Sequence, residues 1–388
     1  MSSLSLYDDF DQLERRGEEE TDGLFSPFTF LVISLILTLF GLLMLYSASF
    51  NFAINNSMKH YHFLFLQLIG LLSGFALGFV LRIIPLDALK KAHYAFSFIS
   101  VLLIVTYFLK GETSLFITIR GYEIIHIPSF LILSAILSFS SVMDEIKYSD
   151  RFGLLYALSI LYQIAIALSC GYIGGIGYFI VYALCIVSMI VPLGFSKSYA
   201  FLAFLFSIVL ALILIFAVPA VFDSVTTSIL PVSDSAYYNN TLYSSLEAIK
   251  DGSLFGLGIG NGIFKLMNYD ECTTTLVFTT VIEELGLLGS IGILFLLLLY
   301  YVLALRTMKR ALGRDSFIAS SSFALALSVL IPFVLSILSS LGLFPLCGIY
   351  MPFFSSSISV EAVTIATTYI IYKEVFVMGR RRDDDEIK

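Results

Sequence analysis

The sequence predicts an all-α, polytopic integral membrane protein with about ten transmembrane helices. Three observations predict it. Of the 388 residues, 58% are hydrophobic and only 13% charged, with a mean hydropathy of +0.94, and a soluble domain of this length has no interior able to hide that much apolar surface. The apolar residues are gathered into runs long enough to cross a hydrocarbon core as helices. Lysine and arginine alternate from one side of those runs to the other.

The runs lie at 27–50, 62–82, 94–109, 124–142, 153–170, 172–192, 199–222, 276–305, 317–341 and 354–372. The third is short, and the division between the fifth and sixth is placed at Gly171, first of a cluster with Gly174, Gly175 and Gly177. An even number of crossings puts both termini on one side. Basic residues near helix ends resist translocation; with the N-terminus inside, all of the 22 Lys and Arg fall on the inner side except Lys59, Lys110, Arg120, Lys250 and Lys265. The expected organisation is an acidic cytoplasmic tail (1–26), a transmembrane domain (27–378) and a short cytoplasmic C-terminal tail (379–388) in the cytoplasmic (inner) membrane.

The formal charge of −7 carries no substrate preference, because most of the acid sits in two end runs, Asp8 to Asp22 and Asp383 to Glu386. No nucleic-acid partner is expected. The polar start of the chain lacks the basic, apolar and small-residue sections of a cleaved signal peptide, so the first helix is expected to remain as an anchor. Cys170, Cys185, Cys272 and Cys347 have no metal-ligand spacing; Cys272 and Cys347 share the predicted outer side, as a disulfide or as two unrelated small residues. His60, His62, His93 and His126 are scattered at helix ends and read as interfacial. Tyr and Phe, in the absence of Trp, take the interfacial aromatic role.

The extracytoplasmic segment 223–275 is the one long connection, and such loops are usually functional. Within it, Thr241 to Lys250 places Leu242, Leu246 and Ile249 on one face of a short helix that would lie on the membrane surface. Gly252, Gly256, Gly258, Gly260 and Gly262 follow, a spacing that permits sharp turns or close backbone approach. No strand precedes them, so a nucleotide-binding loop is a poor reading.

Several strings, in order along the chain, resemble the SEDS family (shape, elongation, division and sporulation), which includes FtsW and RodA. The first helix ends in GLLMLYSAS (Gly41 to Ser49), similar to the family's YSAS block. Phe65-Leu-Gln-Leu and Arg82-Ile-Ile-Pro-Leu resemble the ends of its second helix. SLEAIKDGSLFGLGIGNGIFKL (Ser245 to Leu266) and FTTVIEELGLLGS (Phe278 to Ser290) resemble SLxAIxxGGxxGxGxGxxxxKL and FxxxxEELGLxG, and LGLFPLCGIYMPF (Leu341 to Phe353) resembles TGLLPxTGxxLPF. The acidic N-terminal extension looks more like the FtsW branch.

The resemblance implies a glycosyltransferase of cell-wall assembly that polymerises the lipid-linked disaccharide precursor of peptidoglycan (lipid II) at the outer membrane face. A single-pass class B penicillin-binding protein and other divisome proteins are the implied partners, at the division septum. No cofactor is implied; nothing in the sequence calls for a divalent cation. The family's catalytic Asp falls on Thr275, whose hydroxyl cannot act as a carboxylate base near neutral pH. Asp270 and Glu271 are the acids close enough to stand in for it, or else are ordinary loop acids. The family's paired arginines before its QPSE fall on Phe116 and Ile117, which leaves Arg120 as the nearby guanidinium. Its PFISYGGSS becomes a segment beginning with Pro352 and including Ser355.

Other candidates rest on physical grounds as well. Lys265 matches the family's KL and is placed near a diphosphate or snorkelling to the interface. Glu283 and Glu284 sit at the start of a helix, where the dipole favours carboxylates, or contact substrate. Glu361 lies inside the last helix, points to an interior cavity, and has Arg120 as a candidate partner. Two other readings stay open: a non-catalytic scaffold of the divisome that keeps the fold, and a flippase for the lipid-linked precursor built on the glycine-broken helix and Glu361.

Overall fold

The computed structural model describes residues 27–386 apart from 56, 58, 111–114, 120, 121, 147–151, 191, 193–196, 230–235 and 347. The expected N-terminal tail, Arg120 and Cys347 therefore lie outside the described residues. In chain order the elements are α1 (Pro27–Asn55), α2 (His62–Ile83), α3 (Leu86–Lys91), α4 (His93–Lys110), β1 (Phe116–Ile119), β2 (Tyr122–His126), α5 (Ile127–Ile146), α6 (Phe152–Ile190) and α7 (Lys197–Ala217). They continue with α8 (Pro219–Ile229), α9 (Ala236–Gly252), α10 (Phe264–Met267), α11 (Tyr269–Cys272), α12 (Val277–Ala311), α13 (Ser316–Ser340) and α14 (Ile358–Glu386).

Eight of these helices are long and apolar enough to cross a membrane, and α4 is a shorter apolar helix. This is a multi-pass membrane fold. α5, α6, α13 and α14 bury more than half of their apolar spans and form the centre, whereas α7 buries 6% and presents nearly all of its surface outward. Serines in the centre take part in packing: Ser320 bonds Ser140, and Ser321 donates to Glu374. α13 starts on a true cap, the carboxylate of Asp315 accepting from Ile318 N–H at 3.2 Å.

Three sequence expectations are corrected. The fifth and sixth runs are two helical stretches of α6 that meet at a non-helical residue, Gly175 (φ 77°), four residues beyond the expected Gly171. Any glycine of that cluster admits a positive φ, so packing selects which one breaks. Among the described residues the one departure from all-α structure is an antiparallel hairpin, β1–β2, whose second strand takes residues 124–126 from the expected fourth helix. A run of Phe116, Ile117, Thr118 and Ile119 favours pleated backbone over helix. The segment 223–275 is largely helical, holding the end of α8 and all of α9, α10 and α11.

The inward face of α9 is built from small residues. Its buried stripe is Thr241, Ser245, Ala248 and Gly252, while Leu246 is exposed. Small side chains let the helix approach α12 closely; Ser245 Oγ bonds Thr279 Oγ1 at 2.7 Å and donates to Ser340 O at 3.0 Å. Of the three residues expected on the membrane surface, Leu246 is exposed, while Leu242 and Ile249 are half-buried.

α2 and α14 pack almost backbone to backbone. Gly70, Gly74 and Gly78 form one face of α2, and a Cβ on them would meet Ile358 O at 2.7 Å, Ile365 Cβ at 2.7 Å and the Tyr369 ring at 2.2 Å. Gly41 of α1 does the same against the turn before α14, where a Cβ would collide with Phe353 O.

Candidate functional site

The site is assembled where α12 breaks. In an unbroken helix the N–H groups of Leu287 and Leu288 would bond the carbonyls of Glu283 and Glu284. At Gly286 (φ 71°) the chain leaves helical geometry, and both bonds are replaced by pairing with the glycine-rich arm that runs from Gly252 to Ile263. Leu287 and Leu288 N–H donate to Ser253 O (3.0 Å) and Leu254 O (3.2 Å), while Glu283 O and Glu284 O accept from Leu257 N–H (2.9 Å) and Gly258 N–H (3.0 Å). Two helical bonds become four bonds to the arm. The crossing requires glycine on both strands: a Cβ on Gly256 (φ 78°) would lie 2.2 Å from Glu284 O, and one on Gly286 would lie 2.3 Å from Gly256 N.

The two glutamates complete the clamp with their side chains. Glu283 accepts from Ile263 N–H at 2.6 Å and Phe264 N–H at 3.1 Å. Glu284 accepts from Gly260 N–H at 3.1 Å, from Ser47 Oγ at 2.7 Å, and from Lys265 Nζ at 2.5 Å. Both carboxylates are buried, so the helix-start role expected for them is replaced by a role in holding the arm. Lys265 is corrected too. Its ammonium is buried between Ser47 Oγ (2.8 Å) and Glu284 instead of snorkelling or meeting a diphosphate at the surface.

Beyond the arm, α10 and α11 carry the chain to α12. Tyr269 stacks on Phe52 of α1, ring centroids 3.5 Å apart, and burial pushes its phenol pKa up. This fixes α11, from which the Asp270 side chain is exposed and Glu271 half-buried. Cys272 is a free, buried thiol. Thr275 is buried; its carbonyl accepts from Ser336 Oγ at 2.6 Å, and Thr273 O accepts from Ser356 N–H at 3.1 Å. The Thr273–Thr275 stretch is thereby tied to the turn holding Pro352 and Ser355. Ser355 is fully buried, and its Oγ has no partner among the described residues.

The same turn leads into a cavity of about 850 Å³ running along α2, lined at one end by His62, His126 and Ser359 and further along by Phe65, Ile69 and Leu77. His126 N–H donates to Ser359 Oγ at 2.9 Å. His126 and His93 are buried, contrary to their expected interfacial placement. The His126 ring packs between Phe116, Tyr178 and Tyr350, its Nδ1 lies 2.8 Å from Ser129 Oγ, and burial drives its pKa down to about 3. Glu361 is fully buried with neither carboxylate oxygen bonded among the described residues, and it does not line this cavity; its neighbours Ala362 and Val363 do.

The sequence blocks singled out above thus converge: YSAS through Ser47, the arm and EELG through Glu283 and Glu284, and the MPF turn through Ser356. Sequence reasoning missed Ser47, Gln67 and His126 as site-forming residues. Gln67 Nε2 reaches Phe353 O at 3.4 Å, and its place in the Phe65-Leu-Gln-Leu string was the available signal.

The model of the "Cell cycle protein" family that covers FtsW, RodA and SpoVE matches residues 28–375, and the chain belongs to that family. A protein of Borreliella burgdorferi named "Probable peptidoglycan glycosyltransferase FtsW" is 28% identical over 356 residues, 88% of this chain and 94% of that one. Among solved structures, RodA of Thermus thermophilus superimposes with a TM-score of 0.60 at 18% identity, covering 90% of this chain and 96% of that one. A chain from a structure describing polymerization and crosslinking by a peptidoglycan synthase complex superimposes with a TM-score of 0.64 at 17% identity, covering 90% and 98%.

Proposed function

We propose that the protein is a peptidoglycan glycosyltransferase of the FtsW type that takes a polyprenyl-diphosphate-linked disaccharide from the outer leaflet of the cytoplasmic membrane, with both termini cytoplasmic. The observation that carries this reading is the join at the 352–359 turn. One end of that turn is bonded to the Thr273–Thr275 stretch, and the other forms the wall of the 850 Å³ cavity along α2. That volume is in the range of small-molecule sites, and an apolar groove beside α2 suits an isoprenoid tail.

In this reading the sugar headgroup sits over α10 and α11. Asp270, exposed, and Glu271, half-buried, are the carboxylates of that segment that water reaches. One of them takes the proton of the attacking sugar hydroxyl as its oxygen bonds the donor's anomeric carbon with inversion; the polyprenyl diphosphate leaves with the electron pair of the broken C–O bond. Arg120 is the group proposed to meet the diphosphate, and the buried Pro352, Ser355 and Glu361 act from behind the site by packing the turn and the start of α14. Lys265, Glu283 and Glu284 act by holding the arm. A single-pass class B penicillin-binding protein and other divisome components are the proposed partners, and no cofactor enters the reading.

Purified protein with its partner is expected to polymerise lipid II, and the double variant Asp270→Asn, Glu271→Gln is expected to lower the rate at least about a hundredfold, the scale of general-base catalysis. An unchanged rate would remove both carboxylates from the chemistry. One observation favours a second reading, a divisome scaffold without polymerase activity: Thr275 occupies the family's Asp position and is buried. That reading gives no glycan in the same assay while the chain still supports division.

A further inference from the structure

The glycine arm carries a second property that the candidate reaction does not use. From Gly252 to Ile263 it contains no charged residue. Its large side chains point away from the protein: Leu254, Leu257, Ile259 and Ile263 are exposed, and Phe255 is 80% exposed. Met267, just beyond, is 86% exposed. A loop bathed in water has no reason to present such a set.

Most of its N–H groups from Gly256 to Phe264 are also provided for internally. Gly256 N–H bonds Gly252 O, Leu257 and Gly258 N–H bond the carbonyls of Glu283 and Glu284, Gly260, Ile263 and Phe264 N–H bond the two carboxylates, and Asn261 N–H bonds Gly258 O. The side-chain amide of the exposed Asn261 adds a bond within the arm, donating to Leu257 O at 3.0 Å. Non-helical backbone survives at membrane depth only where protein supplies its hydrogen bonds, because the hydrocarbon supplies none. Two buried carboxylates directed at loop N–H groups meet that requirement, which contact with water would remove.

The arm is continuous with a surface that faces lipid. The outward stripe of α12 consists of Leu287, Leu288, Ile291, Phe295 and Leu298, all exposed and all within a membrane-spanning helix. Leu287 and Leu288, the first two of that stripe, are the residues whose N–H groups bond Ser253 and Leu254 of the arm. The apolar surface therefore passes from helix to arm without a polar break.

We propose that the glycine arm is a re-entrant element seated in the headgroup–acyl boundary of the leaflet at the α9 end of the bundle, with Phe255 and its apolar neighbours immersed in phospholipid. The geometry makes it a fixed wedge at the membrane surface, pinned to α12 by four backbone bonds and the Glu283 and Glu284 carboxylates. Which leaflet this is rests on the proposed orientation; the seat in lipid does not.

The chain contains no Trp, so Phe255→Trp introduces a single reporter at an exposed position where the larger ring meets no neighbour. The full-length variant is reconstituted in phosphatidylcholine vesicles with and without lipid brominated near the headgroup. Emission is expected to be blue-shifted and to fall by about half with the brominated lipid, as for a side chain some 5–10 Å below the surface, with iodide having little effect. Phe295→Trp, in the middle of the lipid-facing stripe, serves as the folded control and is expected to respond more to bromine placed near the methyl end of the chain.

Quenching of the Phe255 reporter by iodide and not by bromolipid, while the Phe295 reporter behaves as stated, would overturn the proposal. So would insensitivity to both quenchers, which would mean that a second copy or a protein partner covers the arm. The measurement needs no substrate. An arm seated in lipid on a chain that makes no glycan would remove the glycosyltransferase reading and leave this one standing.

Discussion

Lys265 Nζ lies 2.5 Å from Glu284 Oε1, and Ser47 Oγ bonds both, so that α1, α10 and α12 meet at one buried ion pair. Such a pair is held at a desolvation cost, and removing one member leaves the other charge stranded. Lys265→Ala and Glu284→Ala are each expected to destabilise the protein by about 3–5 kcal/mol. The double change Lys265→Met, Glu284→Gln is expected to cost less than either, because it strands no charge. Thermal unfolding of the detergent-solubilised variants checks the order.

The crossing of the arm and α12 makes a position-specific prediction about glycine. Gly256 and Gly286 combine a positive φ with backbone contacts closer than a Cβ allows, while Gly260 (φ 91°) has open space around its Cβ position. Gly260→Ala should cost only the strain of a left-handed residue, about 1–2 kcal/mol. Gly256→Ala and Gly286→Ala should abolish recovery of folded protein. Size-exclusion profiles of the three variants distinguish the cases.

The α2–α14 seam predicts a gradient. At Gly78 an added methyl group meets the Tyr369 ring, a side chain that can move, whereas at Gly70 it meets the Ile358 carbonyl. Gly78→Ala should be rescued substantially by Tyr369→Ala, and Gly70→Ala should have no side-chain rescue there. A double-mutant cycle of melting temperatures measures the difference.

His126 predicts a dependence on pH. Its folded-state pKa is lowered to about 3 by burial, against about 6.5 in an unfolded chain. Between those values the unfolded state binds the extra proton. Stability is therefore complete above about pH 6.5 and falls on acidification, by at most about 1.4 kcal/mol per pH unit. His126→Asn should flatten that part of the melting-temperature profile between pH 7 and 5.

The legible parts of this fold were those set by composition. Apolar runs located the long helices because length and hydropathy alone decide what crosses a bilayer. The family blocks brought Ser47, the arm and Glu283-Glu284 into view as strings, yet the strings gave no partners. Whether Glu284 caps its own helix or takes a lysine from elsewhere depends on the break at Gly286, and that break depends on Gly256 arriving from outside the helix. The buried face of α9 was not legible for a related reason. Leu242, Leu246 and Ile249 mark one face by their spacing, but the small residues Ser245, Ala248 and Gly252 that line the buried face carry no such signal. Gly175 rather than Gly171, and a buried rather than interfacial His126, likewise follow from neighbours distant in sequence.

The absence of side chains along Gly70, Gly74 and Gly78 also constrains how the neighbouring cavity can change. With α2 and α14 in contact at the level of their main chains, neither can yield to a bulkier guest without separating from the other, so the pair behaves as a single rigid plank. Any remodelling of the chamber to accept a longer or thicker hydrocarbon must come from the side chains that line it, such as Phe65, Ile69 and Leu77 of α2 and Ile125 and Phe130 of β2 and α5. Natural variation in carrier preference would then be recorded at those positions and not in the three glycines.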